Sequence, residues 1–183
     1  MTDSEGINNI KGEVNYYRKS KILDLNLSIE ELNLDQLFLK YYGKDDKDSK
    51  IEFNSMELLD FLTKRLEFGF STFITSSTNI DINKIILNDK SINNFKLEFS
   101  SWPSITTKNQ KILVNNLSML FPGNSKFITH GIISNSTIPI FRGHLLFTSE
   151  SPKDLIEWKD NSKISEQINN SPILLKSDVV LMP

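Results

Sequence analysis

The stretch that decides the fold is Asn94-Phe-Lys-Leu-Glu-Phe-Ser100. Its three apolar residues alternate with Lys96 and Glu98, and this period of two is typical of a strand with one buried face. Similar segments follow, separated by short polar turns, as far as Met182. We therefore predict a sheet of several strands in the second half of the chain. Such a sheet needs other elements to cover its apolar face.

The same pattern and the turn residues between segments predict most of the elements after residue 70. The predicted strands are 70–75, 80–87, 95–99, 112–121, 127–134, 138–147 and 173–181. Residues 76–79 are rich in Ser, Thr and Asn and predict a turn, and Pro122-Gly-Asn124 predicts the turn before a hairpin that reaches residue 147. Ser151-Pro152 is a suitable helix start, because proline fits the first helical position.

One segment of the second half has two interpretations. Four apolar residues from Ile92 to Trp102 also recur at helical spacing, and such a helix would stop before Pro103. The alternation of Lys96 and Glu98 favours a strand.

The first half predicts helices that could cover the sheet. Ser28 and Glu31 have the spacing of a capping box, which predicts a helix at 29–42 after a short strand at 22–27. A second capping box predicts a helix at 55–68, after a short strand at 51–53. The expected fold class is α+β, with a curved, mainly antiparallel β-sheet and two to three helices packed on one face. Residues 1–20 are expected to be a loose N-terminal segment, and residues 21–183 a single α+β domain.

Composition limits the classes of function. The chain has 183 residues, 38% of them hydrophobic and 24% charged, which is typical of a soluble globular protein. The net charge is −2, and no dense run of Lys and Arg predicts a nucleic-acid patch. The polar N-terminus has no apolar stretch of a signal peptide, and no apolar run has membrane-spanning length. The expected location is therefore the nucleus or the cytoplasm.

The residues that carry most enzyme chemistry are scarce. There is no cysteine, so thiolate metal sites and cysteine nucleophiles are excluded. His130 and His144 lie on predicted adjacent strands, but a metal site would need a third ligand such as Asp178. No nucleophile elbow or phosphate-binding loop occurs. We predict a protein that is not an enzyme, with no catalytic residues, no cofactor and no metal.

Large aromatic residues are the remaining candidates for function. Trp102 and Trp158 flank the strand-rich region, Phe141 and Phe147 lie on one face of their strand, and Arg142 lies on the other. Aromatic residues with a nearby arginine are typical of protein interfaces, although they also complete cores. These five residues are the predicted partner-binding set.

Three stretches of the sequence resemble the nuclear transport factor 2-like fold of the mRNA export receptors. Phe127–Ser134 resembles its long central strand, Ile173–Leu181 resembles its last strand, and Ser91–Phe95 with Trp102-Pro103 resembles a helix that ends in an apolar-Pro pair. A second register, that of the small partner subunit, would use 51–53 as a strand and 55–68 as a helix. The resemblance implies a scaffold that heterodimerises through an open sheet face and presents a pocket for phenylalanine-glycine repeats.

These observations lead to one principal hypothesis and two alternatives. The principal hypothesis is a non-enzymatic protein-protein interaction subunit of a hetero-oligomeric complex, a heterodimer or larger, in nuclear mRNA export or transport. The first alternative is a small-molecule-binding protein or small enzyme, with a pocket in a cone-shaped sheet. The second is a structural subunit of another nuclear or cytosolic assembly.

Overall fold

The computed structural model describes residues 7–37, 75–87, 90–102, 111–135, 139–160 and 170–181. Eight long strands account for most of them: β1 Ile7–Tyr17, β2 Ile22–Asn33, β3 Thr75–Leu87, β4 Lys90–Trp102, β5 Lys111–Phe121, β6 Ser125–Asn135, β7 Pro139–Ser149 and β8 Ile173–Leu181. Helix α1 spans Pro152–Asp160, and residues 34–37 are also helical. Neither of these helical segments of the described ranges is long and apolar enough to cross a bilayer.

The strands form one sheet in which spatial order follows chain order, from β1 to β8. All neighbours are antiparallel except β2 and β3, which are parallel. Antiparallel neighbours can be joined by tight turns, whereas a parallel pair needs a crossover connection. Residues 34–74 connect β2 to β3 in the sequence. Strands β1 and β8 are the two edges of the described sheet.

The predicted α+β fold class is wrong. The described residues are nearly all strand, in an eight-stranded, mostly antiparallel sheet with only two short helical segments, and not a sheet with helices packed on one face. Strands β2 to β7 have 11–13 residues and are longer than the pattern predicts. The predicted helix at 55–68 and strand at 51–53 lie outside the described residues.

The segment predicted as a helix at 29–42 shows the reason for part of this error. Strand β2 continues through it to Asn33, pairing with β1 on one side and β3 on the other. Helical residues begin only at 34, where the Asn33 Oδ1 accepts a hydrogen bond of 3.0 Å from the Gln36 N–H. Asn33 is therefore the N-cap, and Ser28 is an exposed strand residue.

Of the remaining sequence predictions, some are confirmed and others are wrong. Strand β4 covers 90–102, so the strand interpretation of that segment is confirmed and the helix that the family resemblance implies there is not formed. The turn at 122–124, the helix start at Pro152 and the strand at 173–181 are also confirmed. Residues 7–17 form β1, although the N-terminal segment is expected to be loose. Residues 76–79 lie within β3 and are not a turn.

One face of the sheet holds the core, and we call it the core face. Directly paired residues share a face, so the register places Ile29, Ile82 and Phe95 in one row across β2, β3 and β4. The buried residues Ile29, Ile82 and Ile85 form a cluster there. The residues that alternate with the core-face positions form the opposite face, which is mainly polar in β1–β4.

The alternation between faces shifts by one residue along a line that crosses β1 to β4. A strict period of two would put Ile29 and Leu32 on different faces, yet both pack in the core cluster. The same three-residue spacing separates Ile92 from Phe95, which also contact that cluster. Asn9 in β1 and Asn94 in β4 lie on this line with φ of 49° and 51°. Asparagine tolerates this left-handed conformation better than most residues. In both strands the conformation shifts the alternation by one residue, so the apolar residues on either side of the line lie on the core face.

At the other end of the sheet, the chain closes a corner between β7 and α1. The Gly123 carbonyl accepts the N–H groups of Glu150 and Ser151 at 3.2 and 3.0 Å. Beside this corner the hydroxyls of Ser125 and Ser149 lie 2.7 Å apart and both residues are fully buried. The corner thus holds the end of β7 and the start of α1 against the turn between β5 and β6.

Candidate functional site

Strand β8 is an edge strand whose surface is almost entirely exposed. It pairs with β7 from Ile173 opposite Ser149 to Leu181 opposite Phe141, and no other strand of the described residues pairs with its outer side. Only Val179 among its residues is partly buried. The outer backbone N–H and C=O groups of β8 are therefore presented to whatever approaches that edge.

The side chains of β8 are apolar on both faces. Ile173, Leu175 and Leu181 lie on the core face, whereas Leu174 and Val180 lie on the opposite face. All five are large exposed hydrophobic residues, from 46% exposed for Ile173 to 64% for Leu174. Scattered exposed apolar residues are normal on proteins, but a contiguous group of them marks an interaction site. An exposed apolar edge strand also invites aggregation unless it has a partner.

Two opposite charges occupy the middle of β8. Lys176 and Asp178 flank Ser177, and both point to the opposite face. The Asp178 Oδ1 contacts the Nδ1 of His144, its direct partner on β7. The side chains of His144 and Asp178 are 65% and 85% exposed, so this contact lies in solvent and contributes little to stability.

The two histidines meet as the sequence predicts. His130 and His144 are direct partners on β6 and β7, with ring centroids 5.1 Å apart. Asp178 extends their row onto β8, a neighbour relation that the sequence did not indicate. Within the ranges that the structure describes, no group of three His, Asp or Glu side chains is placed to hold a metal ion.

The predicted partner-binding residues do not form one surface. Trp102 is 47% exposed at the end of β4, far along the sheet from β8. Arg142 is exposed on β7 and is the direct partner of Ile132 and Val180, both of them exposed apolar residues. Arg142 alone therefore joins the apolar surface of β8 on the opposite face.

The other three predicted residues contribute to packing. Phe141 lies over a pair of facing glycines, since a Cβ built on Gly131 or on Gly143 would come within 3 Å of its ring. Phe147 is half-buried on the core face between its direct partners Phe127 and Leu175. Both phenylalanines are thus partly buried and pack against neighbouring residues of the sheet.

Trp158 anchors α1 to the sheet. Its ring meets Phe121 edge-on, with centroids 5.3 Å apart and planes at 65°. The Lys90 Nζ lies 5.8 Å from the Trp158 ring centroid. This contact explains the tryptophan as part of the junction between α1, β4 and β5.

Sequence reasoning missed β8 as a site, although it predicted the strand correctly. The signal is the doublets Leu174-Leu175 and Val179-Val180, which put apolar side chains on both faces. A strand that is apolar on both faces is expected in the middle of a sheet, covered on each side. Its position at an edge can be seen only when the pairing of all strands is known.

The described residues also line an open depression of about 420 Å³ on the opposite face near β1. It is polar, and its lining residues are Asn9, Glu30, Glu31, Asn83 and Lys84. Lys84 and Glu31 form an ion pair of 2.9 Å across it. The depression lacks the apolar, enclosing walls typical of small-molecule sites.

Comparison of the chain with protein-family models, with curated proteins and with solved structures finds no match.

Proposed function

We propose that the chain is a non-enzymatic interaction subunit that binds another protein chain by strand addition to β8. The observation that carries this proposal is an edge strand with exposed apolar side chains on both faces. An added strand would pair with the outer backbone groups of β8, and those hydrogen bonds supply much of the affinity in this mode of recognition. The apolar side chains then lose contact with water, which favours the complex by about 25 cal/mol per Å² of buried apolar surface.

The chemistry of β8 specifies the segment that would fit. It is an extended strand with apolar residues on both faces, because β8 presents Leu175 on the core face and Val180 on the opposite face. It carries an acidic residue opposite Lys176 and a basic residue opposite Asp178, since like charges in direct cross-strand positions are unfavourable.

The alternative of a small enzyme has less support. It requires a histidine and a carboxylate in a cavity that excludes water. His144 and Asp178 do form a pair, but they form it on the exposed opposite face. A binding function needs exposed residues, and His144 and Asp178 are exposed.

The narrower hypothesis of a hetero-oligomer in nuclear mRNA export, located in the nucleus or cytoplasm, stays a prediction from the sequence resemblance. The identity of the protein bound to β8 decides it. A different subunit supports the hetero-oligomer.

A site-specific crosslink tests the proposal. A photoreactive amino acid replaces Leu175 on β8 in one variant and Val14 on β1 in the other, in the full chain expressed in its own cells. Val14 is a matched control, because it is an apolar residue on the other edge strand and is 64% exposed. We expect a covalent adduct with a protein chain at position 175 and not at position 14.

The adduct must also depend on the pairing surface. Adding Val180→Lys to the position-175 variant places a second positive charge beside Arg142 and should reduce the adduct yield by about tenfold. Equal adducts at both edges, or an adduct that Val180→Lys leaves unchanged, would show that β8 is not the binding element.

A further inference from the structure

We infer that the strand added to β8 is β8 of a second copy of this chain, antiparallel to the first and centred on Ser177. This inference rests on the proposed function, because it names the chain that occupies the same edge. The two copies would share a two-fold axis perpendicular to the sheet, and the two sheets would become continuous.

The sequence of β8 is self-complementary about Ser177. Antiparallel pairing on that centre puts Ile173 opposite Leu181 of the second copy, and Leu174 opposite Val180 of the second copy. Leu175 similarly meets Val179 of the second copy. Each pair joins residues of the same face, as antiparallel neighbours require. Every apolar residue of β8 therefore has an apolar partner, and each pairing occurs twice, as in any two-fold interface.

The charges in the middle of the strand select this register. Lys176 lies opposite Asp178 of the second copy, and symmetry repeats the pair. The Asp178 Oδ1 already contacts His144, but a carboxylate has a second acceptor oxygen for the incoming ammonium group. Moving the centre by one residue would put two Lys176 side chains, or two Asp178 side chains, directly opposite each other. Like charges in that position oppose pairing.

Strand β1, the other edge, shows that two opposite charges around a small residue are not enough for self-pairing. Strand β1 has Lys11 and Glu13 around Gly12, an arrangement that resembles the centre of β8. In β1, however, Asn9 takes a left-handed φ of 49°, which interrupts the extended edge. Asn15 is polar where β8 has an apolar residue at the same distance from its centre. No described residue of β8 has a positive φ.

The self-association of the purified full chain, measured by sedimentation over a range of concentrations, tests the inference. We expect a reversible dimer. Lys176→Asp should weaken it by about tenfold or more, because two attractive pairs become repulsive. Combining Lys176→Asp with Asp178→Lys should restore most of the affinity, since the swapped charges again face each other. Lys11→Asp on β1 is the matched control and should leave the dimer unchanged.

A crosslink at the axis gives an independent measurement. The chain has no cysteine, so Ser177→Cys introduces a single thiol, and the two thiols of a dimer would lie in direct cross-strand positions. Mild oxidation should give a disulfide-linked dimer. Ile173→Cys should not, because pairing places the two introduced thiols at opposite ends of β8.

Three results would overturn the inference: a chain that stays monomeric at every concentration, a double charge swap that fails to restore association, or equal crosslinking of the two cysteine variants. If the chain is monomeric while position 175 still crosslinks to a different protein, strand addition stands and only the identity of the partner changes. If position 175 crosslinks to no protein, the proposed function fails as well.

Discussion

The two edge strands of the sheet have similar centres but differ in the residues and the backbone on either side of them. Both β1 and β8 carry a lysine and an acid around a small residue. In β1 the flanking residues combine three asparagines with exposed apolar and tyrosine side chains, and Asn9 breaks the regular backbone. In β8 the flanking residues are apolar on both faces and the backbone stays extended. Proteins protect edges with charges and irregular backbone, so β1 has the features of a protected edge and β8 those of a pairing edge.

The largest expected effect concerns the packing around one glycine near each edge of the sheet. Gly143→Ala in β7, next to β8, should lower the free energy of unfolding by about 1–3 kcal/mol, because overpacking is costly. A Cβ at this position would lie 2.2 Å from the His130 carbonyl oxygen. Gly12→Ala in β1 should raise stability by up to about 1 kcal/mol, since its Cβ would meet nothing closer than 3.5 Å. Urea denaturation of both variants measures this.

The comparison fails if the two alanine variants lose equal stability. That result would mean that the close contact at Gly143 relaxes without cost, and that the neighbourhood of β8 is no more tightly packed than that of β1.

A smaller effect concerns the chain leading into β8. The Asn170 Oδ1 accepts hydrogen bonds from the Ser151 hydroxyl at 3.1 Å and from the Lys153 N–H at 3.2 Å. It therefore caps α1 from outside the helix and joins the segment that leads into β8 to the start of α1. Asn170→Ala should cost about 1 kcal/mol, the usual value for a lost cap. Thermal unfolding measures it.

Asn15→Ala on β1 is the control for this variant. Its side chain donates only to Glu13, two residues away on the same exposed strand. We expect almost no change in the melting temperature. A loss as large as that of Asn170→Ala would show that the contact of Asn15 with Glu13 contributes as much to stability as the hydrogen bonds of Asn170 do.

The smallest effect concerns the exposed polar pairs that join each edge to its neighbour. His144→Gln removes the imidazole contact with Asp178 between β7 and β8, and it should change stability by about 0.5 kcal/mol or less because the contact is exposed. Glu30→Gln should change the contact with Asn9 between β1 and β2 equally little. A loss above about 1 kcal/mol for His144→Gln, measured by urea denaturation, would show that polar contacts also hold β8.

The sequence predicted the strands of the second half well because their physical signals are local. Alternation marks β4, and a Pro-Gly turn separates β5 from β6. The first half misled for an equally physical reason. Ser28 and Glu31 have the spacing of a capping box, yet both lie in β2, which continues to Asn33 and pairs with β1 and β3. That pairing depends on neighbouring strands, so a pattern read along one strand cannot reveal it.

The error at residues 76–79 has a related cause. Ser, Thr and Asn are typical turn residues because their side chains bond to nearby backbone. In β3 the Ser76 hydroxyl instead lies 2.7 Å from the hydroxyl of Ser101 on β4, and both residues are buried. A partner 25 residues away thus makes a turn-forming residue acceptable in a core strand. The edge position of β8 is hidden from the sequence for the same reason, since it depends on the pairing of the whole sheet.

The single parallel pair in the sheet, β2 with β3, also has a consequence for the order of folding. Strands β3 to β8 are sequential antiparallel neighbours, and β1 with β2 is another such hairpin. Joining the two units requires closing the crossover of residues 34–74, whose entropic cost must be met before the parallel pairing forms. Contacts between distant segments form slowly. We therefore expect the hairpin of β1 and β2 to pair with β3 after β3 to β8 have paired with one another. Until it does, β3 is a second exposed edge that could pair with another chain.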